Sequence, residues 1–156
     1  MLEKLRVDDY DFILSLVNTT GWIENIGDRN IHSKNEAKEY INKILWTENF
    51  IYWVVRTKVN HTPVGIISLI KRSYLEYFDI GFAFLPEYGH YGYAYEAAKA
   101  VLLMISKLPE FKIVLATTLF SNKNSIKLLT KLGFRYEKEN DTESEKMHIY
   151  TNAPLL

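Results

Sequence analysis

Two glycines at a predicted strand-to-helix junction provide the clearest chemical signal in the chain. The segment from Leu85 to Ala97 reads LPEYGHYGYAYEA, in which Pro86 ends a strand and Gly89 and Gly92 precede a helix. Backbone N–H groups in the first turn of a helix have no partner within that helix, and the helix dipole adds partial positive charge there. Glycine also lets an anionic group approach the backbone closely. The spacing indicates a phosphate or pyrophosphate site, although the same glycines would suit a simple turn.

The composition excludes several other chemistries. The 156 residues contain no cysteine, which excludes disulfides, thiol catalysis and zinc-thiolate sites. The four histidines stand at no spacing, to one another or to carboxylates, that suggests a metal site, so we expect no metal. The 19 basic and 19 acidic side chains give a net charge of zero, which gives no support for a nucleic-acid partner bound through bulk charge.

The predicted elements place the glycine segment between a strand and a long helix. Ser33 and Glu36 form a capping box before the second of four predicted helices. Asp8 is the predicted cap of the first helix, and the segment 22–30 is predicted to be irregular. The predicted helices cover residues 9–18, 33–46, 92–106 and 122–132. The predicted strands cover residues 50–57, 64–70, 77–85, 112–118, 134–137 and 148–151, the last two joined by a polar turn at 140–145.

The order of these elements predicts a single α/β domain over residues 1–156. Three antiparallel strands followed by strand–helix–strand give a mixed, mostly antiparallel sheet with helices on both faces. The crossover places a loop, and then a helix N-terminus, at the carboxyl end of a strand. Anionic ligands bind at that end of such sheets, and the glycine segment occupies it.

Several parts of the chain resemble the GNAT superfamily of N-acetyltransferases. The clearest is the segment 89–94, which reads GHYGYA against the family's acetyl-CoA loop, Gln/Arg-x-x-Gly-x-Gly/Ala. Its Gly-Tyr-Ala, followed by Glu96 and Ala97, is the form common in the branch similar to ribosomal-protein N-acetyltransferases. The resemblance covers about residues 8–138. The other matching segments are PVGI at 63–66, DIGF at 79–82, Asn122-x-x-Ser125, and LLTKLGF at 128–134.

This resemblance implies a donor, a reaction and a binding site. In the family, the strand holding residues 82–85 parts from the strand holding 115–118, and the pantetheine arm of acetyl-CoA lies in the gap. Acetyl passes directly to a primary amine in a ternary complex. The family's Gln/Arg is Gly89 here, so one phosphate contact is lost or His90 replaces it. The residues assigned to acetyl-CoA are Ala83, Phe84 and Leu85 beside the pantetheine, Gly89, His90, Tyr91, Gly92, Tyr93 and Ala94 at the diphosphate, and Asn122 and Ser125 near the pantetheine.

Some of these assignments have alternatives, and the catalytic residues do as well. Asn122 equally suits a helix N-cap, and Ser125 an ordinary helix position. Direct transfer needs a base that takes a proton from the amine. Asp79 and Glu24 are the candidate catalytic residues, with Asp28 as a further candidate base. Asp79 fits as well a strand carboxylate paired with Lys71 or Arg72, and Glu24 fits as well a solvated loop residue.

Two apolar positions bear on the mechanism. The family's tyrosine that protonates the leaving thiolate matches Leu129, so no acid is expected there. Trp22 fits either a wall of the acceptor pocket or the core.

Because no acid is expected at Leu129 and the loop is altered at Gly89 and His90, a non-catalytic relative that binds CoA is the alternative function. A dinucleotide-binding enzyme is disfavoured, because the chain lacks Gly-x-Gly-x-x-Gly after its first strand.

The expected acceptor is a small-molecule amine or a protein N-terminal amine, and the expected assembly is a monomer or a homodimer. Residues 1–10 include Glu3, Asp8 and Asp9 and lack the apolar stretch of a signal peptide. No apolar run approaches the roughly 20 residues that cross a bilayer. We therefore expect a cytoplasmic enzyme with neither a membrane nor a nucleic-acid partner.

Overall fold

The computed structural model describes residues 1–141 and 146–155. Its strands within that range are β1 (Leu2–Lys4), β2 (Phe50–Arg56), β3 (Pro63–Ile70), β4 (Phe78–Phe84), β5 (Val114–Leu119), β6 (Arg135–Asp141) and β7 (Lys146–Thr151). The α-helices are α1 (Tyr10–Val17), α2 (Thr20–Asn25), α3 (Lys34–Trp46), α4 (Tyr93–Ile105) and α5 (Lys123–Lys131). The turn predicted at 140–145 falls mostly outside the described residues, and Asn140 belongs to β6.

The strands form one sheet in the order β1-β2-β3-β4-β5-β7-β6. Every neighbouring pair is antiparallel except β4 and β5, which are parallel and joined through α4. This confirms the predicted fold class, a mixed and mostly antiparallel sheet. The single parallel pair also lies where the predicted strand–helix–strand crossover requires it.

Helices cover both faces of the sheet. Successive strand residues point to opposite faces, so Val54 of β2 packs with the buried side chains of α1, α2 and α3. Its neighbours Trp53 and Val55 pack on the other face with buried residues of α4 and α5, including Val101 and Leu129. The two hydrophobic clusters on either side of the sheet account for most of the buried apolar side chains and fix the helices that frame the site.

The N-caps of the first three helices agree only in part with the predicted ones. The Ser33–Glu36 capping box is present at the start of α3, as predicted. The predicted Asp8 cap is wrong: a short 3-10 turn comes first, and Asp9 holds the N-cap position of α1. The predicted irregular segment 22–30 is wrong over its first part, because α2 begins at Thr20. Thr19 caps it, its Oγ1 accepting the Trp22 N–H at 3.3 Å, so the Thr-Thr-Gly run that ends one helix also starts the next.

Candidate active site

Strands β4 and β5 stay together for only two residue pairs. Phe78 lies opposite Val114 and Asp79 opposite Leu115, and no later pair joins the two strands. Both strands continue for several residues beyond that point. The sheet is therefore split at the carboxyl ends of β4 and β5, which is the gap that the family resemblance predicts.

The backbone of β4 presents alternate residues to this gap. Leu85, just beyond β4, donates its N–H to the Val64 carbonyl of β3 at 2.9 Å. Because backbone groups of a strand alternate between its two sides, Ala83 also faces β3, whereas Phe82 and Phe84 turn their N–H and C=O groups toward β5. Of the three residues expected beside the pantetheine, Phe84 is thus the one whose backbone faces the split.

A buried carboxylate lies at the point of separation. Asp79 is 3% exposed, and its Oδ1 accepts the Thr117 backbone N–H at 2.8 Å. Its Oδ2 accepts the Thr117 hydroxyl at 3.1 Å and the Arg72 Nε–H at 2.6 Å. Arg72 is one of the two residues, with Lys71, that were expected to pair with Asp79 if its role is structural. Burial raises the pKa of the Asp79 carboxyl above its usual value, although Arg72 and Thr117 favour the charged form.

The N-terminus of α4 is open to an anion. Gly92 is the N-cap residue, with φ of +76° and no side chain capping the helix. The first N–H bonded inside the helix is that of Glu96, which donates to the Gly92 carbonyl at 3.0 Å, so the N–H groups of Tyr93 and Ala94 precede the helical ladder. Gly92 needs its freedom for the left-handed conformation, whereas Gly89 has an ordinary φ of −67°. Residues 89–92 are exposed, as a ligand loop requires.

Two lysines that the sequence analysis did not single out lie beside this helix start. Lys131, at the end of α5, places its Nζ 4.3 Å from the ring centroid of Tyr95 in the first turn of α4. Lys99, one turn later in α4, places its Nζ 5.7 Å from the centroid of the same ring. The i, i+4 spacing of Tyr95 and Lys99 is visible in the sequence, but the approach of Lys131 depends on how α5 packs against α4. Both cations therefore lie against the Tyr95 ring in the first turn of α4.

The start of α5 combines a structural role with the predicted site. Asn122 caps the helix, its Oδ1 accepting the Ser125 N–H at 3.1 Å, so its expected role as a cap is confirmed. A contact of Asn122 or Ser125 with the donor stays a prediction. Leu129 is 1% exposed and packs in the core, so the position of the family's tyrosine offers no proton here.

An open groove beyond the end of β5 brings two predicted residues, Glu24 and Asn122, together. Glu24 and Asn25 of α2 line one side, and residues 121–124 line the other. Its volume is about 460 Å³, and Glu24 is exposed within it. Asp28 does not line this groove; its Oδ1 accepts the Asn30 N–H at 2.7 Å. The groove joins the predicted acceptor segment to the helix start that follows β5.

Trp22 lies in the core rather than on an open wall. It is 5% exposed and packs among the buried side chains of α1 and α3. Its Nε1–H has no hydrogen-bond partner within the described part of the chain. The Arg29 guanidinium, from the loop that follows α2, lies 5.9 Å from the ring centroid of Trp22.

Residues 1–141 and 146–155 contain neither a candidate metal centre nor a candidate membrane-spanning helix. No group of three or more His, Asp or Glu side chains in these residues could hold a metal ion. No helix in the same ranges has the length and apolar character needed to cross a bilayer.

Comparisons with known proteins agree with this geometry. A family model described as an acetyltransferase (GNAT) domain matches residues 1–135. The chain is 29% identical over 137 residues to an uncharacterized N-acetyltransferase, YnaD, of Bacillus subtilis, covering 88% of this chain and 79% of that protein.

Two solved structures share the fold. One is a chimera of the spermidine N-acetyltransferase SpeG from Vibrio cholerae and hSSAT, with a TM-score of 0.79, 17% identity, and coverage of 97% of this chain and 93% of that one. The other is the ribosomal-protein-S5-alanine acetyltransferase of Vibrio fischeri, with a TM-score of 0.73, 16% identity, and coverage of 96% and 90%. At these identities the likeness concerns the fold.

Proposed function

Because this chain belongs to the family of GNAT acetyltransferase domains, we propose that it transfers an acetyl group from acetyl-CoA to a primary amine. The observation that carries the proposal is the early end of the β4–β5 ladder after Asp79 and Leu115. A continuous sheet would bury that edge, whereas the split leaves a strand edge to which an extended, amide-bearing ligand can add. The uncapped start of α4 follows β4 at the same end of the sheet.

In this proposal the donor is held mainly by backbone groups. The diphosphate lies on residues 89–94, where the N–H groups at the start of α4 and the helix dipole favour an anion. The pantetheine amides pair with the side of β4 that Phe84 presents to the split, and with the start of α5 near Asn122 and Ser125. Lys131 and Lys99 add positive charge near Tyr95, in place of the contact that Gly89 cannot make.

The reaction is direct attack of the amine on the thioester in a ternary complex. The chain has no cysteine to carry the acetyl group. The nitrogen forms a bond to the acetyl carbon, the carbon–sulfur bond breaks, and the amine proton goes to a base while the thiolate leaves. A backbone N–H of β4 facing the split is suited to stabilise the oxyanion. Since Leu129 is apolar and buried, the thiolate takes its proton from water.

Two carboxylates are candidates for the base, and their surroundings differ. Glu24 is exposed in the groove that it shares with Asn122, so an incoming ammonium can reach it. Asp79 is buried and already accepts three hydrogen bonds, which leaves little of its surface for substrate. These contacts favour Glu24 as the residue that meets the amine, and the base role of Asp79 stays a prediction to be tested by its pH profile.

The acceptor is proposed as a small-molecule amine or a protein N-terminal amine. The names of the two structural neighbours, which refer to spermidine and to an alanine of a ribosomal protein, support the amine class without choosing between these. The second neighbour also supports placing the chain in the branch similar to ribosomal-protein N-acetyltransferases. We propose a cytoplasmic location and a monomer or homodimer.

A second candidate function is binding of CoA without turnover. It is favoured by one observation, the replacement of the family's proton donor by Leu129. The two functions differ in one measurable property, because a binding protein is stabilised by acetyl-CoA but releases no CoA thiol when amines are added.

The experiment has two stages. Thermal-shift measurements compare acetyl-CoA, CoA and NAD, and we expect stabilisation by the first two only. An amine panel of polyamines, amino acids, aminoglycosides and peptides with free N-termini is then screened for release of free thiol. Thiol release with any amine supports the transferase. Binding without release across the panel supports the second candidate, and stabilisation by NAD alone contradicts both.

A further inference from the structure

Asp79 takes the place that a backbone carbonyl would hold if β4 and β5 continued to pair. On β5, Val114 faces β7, because its carbonyl accepts the Asn152 N–H at 3.2 Å. Alternation along the strand then turns the Thr117 N–H toward β4. In an unbroken parallel ladder a backbone carbonyl of β4 would accept that N–H. Here the side chain of Asp79 accepts it instead, at 2.8 Å.

The carboxylate is held in this position from both strands. On its own side, Asp79 pairs with Ile70, the last residue of β3, and Arg72, just beyond β3, donates its Nε–H at 2.6 Å. From across the gap the Thr117 hydroxyl donates to Oδ2 at 3.1 Å. A side chain is longer than a carbonyl bond, so a strand joined through it stands farther away than a paired strand does. The Asp79 carboxylate therefore bridges β4 and β5 where no backbone pair joins them.

We propose that Asp79, held by Arg72 and bonded to Thr117, is the positioning residue that keeps β4 and β5 apart and so forms the donor cleft. The role of the cleft in holding acetyl-CoA rests on the proposed function. The spacer itself does not, since it is a property of the sheet without ligand. Asp79 then acts on the reaction through the strand edges and not through the amine proton.

The choice between spacer and base is decided by which kinetic property changes. If Asp79 is a spacer, its substitution weakens acetyl-CoA binding and leaves the shape of the pH profile of kcat unchanged. If Asp79 is the base, its substitution lowers kcat and removes the acidic limb of that profile. Asp79→Asn removes the charge that pairs with Arg72, and an amide NH2 in place of Oδ2 cannot accept the Arg72 Nε–H or the Thr117 hydroxyl, so the spacer loses the contacts that hold it. Thr117→Val removes only the hydroxyl contact. If both act through one spacer, their effects on acetyl-CoA affinity do not add.

The chain offers a matched control for Asp79→Asn. Asp9 is also a buried carboxylate, 6% exposed. It pairs with Arg56 of β2 and accepts the Arg6 N–H at 2.9 Å, but it lies at the start of α1 and binds a strand that β3 separates from β4. Asp9→Asn therefore reports what loss of a buried carboxylate–arginine pair does to the protein as a whole. Thr151→Val is the corresponding control for Thr117→Val, since it removes a buried hydroxyl from β7 that accepts the Ala153 N–H at 3.1 Å.

The experiment measures acetyl-CoA affinity by calorimetry, the pH profile of kcat and hydrogen exchange of the Thr117 amide. We expect Asp79→Asn to weaken acetyl-CoA binding by about tenfold, Thr117→Val to weaken it less, and the double variant to match Asp79→Asn. Both control variants should bind as the wild type does. The spacer role would be overturned if Asp79→Asn and Asp9→Asn lost equal acetyl-CoA affinity, or if the effects of Asp79→Asn and Thr117→Val on that affinity were additive. Loss of the acidic limb of the kcat profile in Asp79→Asn would overturn it as well.

Failure of the proposed function gives a different result. If the wild-type protein binds no acetyl-CoA, the donor assignment is wrong, and the spacer is then judged by hydrogen exchange alone. In that case faster exchange of the Thr117 amide in Asp79→Asn, with no change in Asp9→Asn, supports the spacer. Unchanged exchange in Asp79→Asn contradicts it.

Discussion

Glu24 of α2 and Asn122, the N-cap residue of α5, line the same groove although they are far apart in the sequence. The first belongs to the segment expected to meet the acceptor, and the second to the segment expected to meet the donor. If both assignments hold, this shared groove would bring the two substrates side by side, as direct transfer requires.

Glu24→Gln tests the acceptor side of this groove. The variant should raise KM for the amine by about two- to fivefold, the value of an exposed ion pair, and leave KM for acetyl-CoA unchanged. Asp28→Asn is the matched control, because Asp28 belongs to the same part of the chain but lies outside the groove. Steady-state kinetics with each substrate varied in turn makes the comparison. Equal effects of the two variants would show that the groove does not receive the amine.

Gly92→Val tests the helix start that is proposed to hold the diphosphate. A Cβ at Gly92 meets no atom within 4 Å, so the valine would fill the open space at the helix start where the diphosphate is proposed to lie. Acetyl-CoA binding should therefore be lost in calorimetry. Both Gly92→Val and Gly133→Val should lower the free energy of unfolding by about 1–2 kcal/mol, since each glycine has a positive φ. Gly133 also has no atom within 4 Å of an added Cβ, which makes it a control for strain alone. Unchanged affinity in Gly92→Val would place the diphosphate elsewhere.

Lys131→Gln tests whether α5 supplies charge to the same site. We expect KM for acetyl-CoA to rise by about two- to fivefold at low salt, and the difference from wild type to shrink as salt is added, because the site is exposed to solvent. Lys43 is an exposed lysine of α3, on the opposite face of the sheet. Lys43→Gln should change neither KM for acetyl-CoA nor its dependence on salt. A salt-independent effect, or none, would remove Lys131 from the donor site.

The Asp79 carboxyl should also make stability depend on pH with a defined sign. Burial raises its pKa in the folded protein above the unfolded value of 3.8, so the native state holds this proton more tightly than the unfolded state. The protonated Asp79 carboxyl therefore contributes its full share to the free energy of unfolding below pH 3.8, and this share is lost as the pH rises from 3.8 through the raised pKa. Relative to Asp79→Asn, the wild type should therefore lose stability over that range in urea unfolding series. The opposite slope would mean that the contacts with Arg72 and Thr117 outweigh burial.

Local sequence signals were enough to predict most of the fold. Hydrophobic periodicity located the strands and long helices, and the Ser33–Glu36 pair marked the start of α3. The short helix α2 is not predicted from the sequence, because Gly21 disfavours helix formation. Single-turn preferences of this kind are weak, and packing of Trp22 into the core decides the outcome.

The site was predictable only where one segment carries it. The glycine loop is contiguous, so a helix start at Gly92 could be predicted from the sequence, and Gly92 is the N-cap residue of α4. The Asp79–Thr117 contact and the approach of Lys131 to Tyr95 join residues from different elements. Such contacts depend on strand register and on helix packing, neither of which a single segment encodes.

A crystal structure of the protein with acetyl-CoA tests the central claim most directly. The account predicts the diphosphate on the N–H groups at the start of α4 and the pantetheine between β4 and β5, with the Asp79–Thr117 contact intact beside it. Acetyl-CoA bound at another surface, or β4 and β5 paired along their whole length in the complex, would contradict the account.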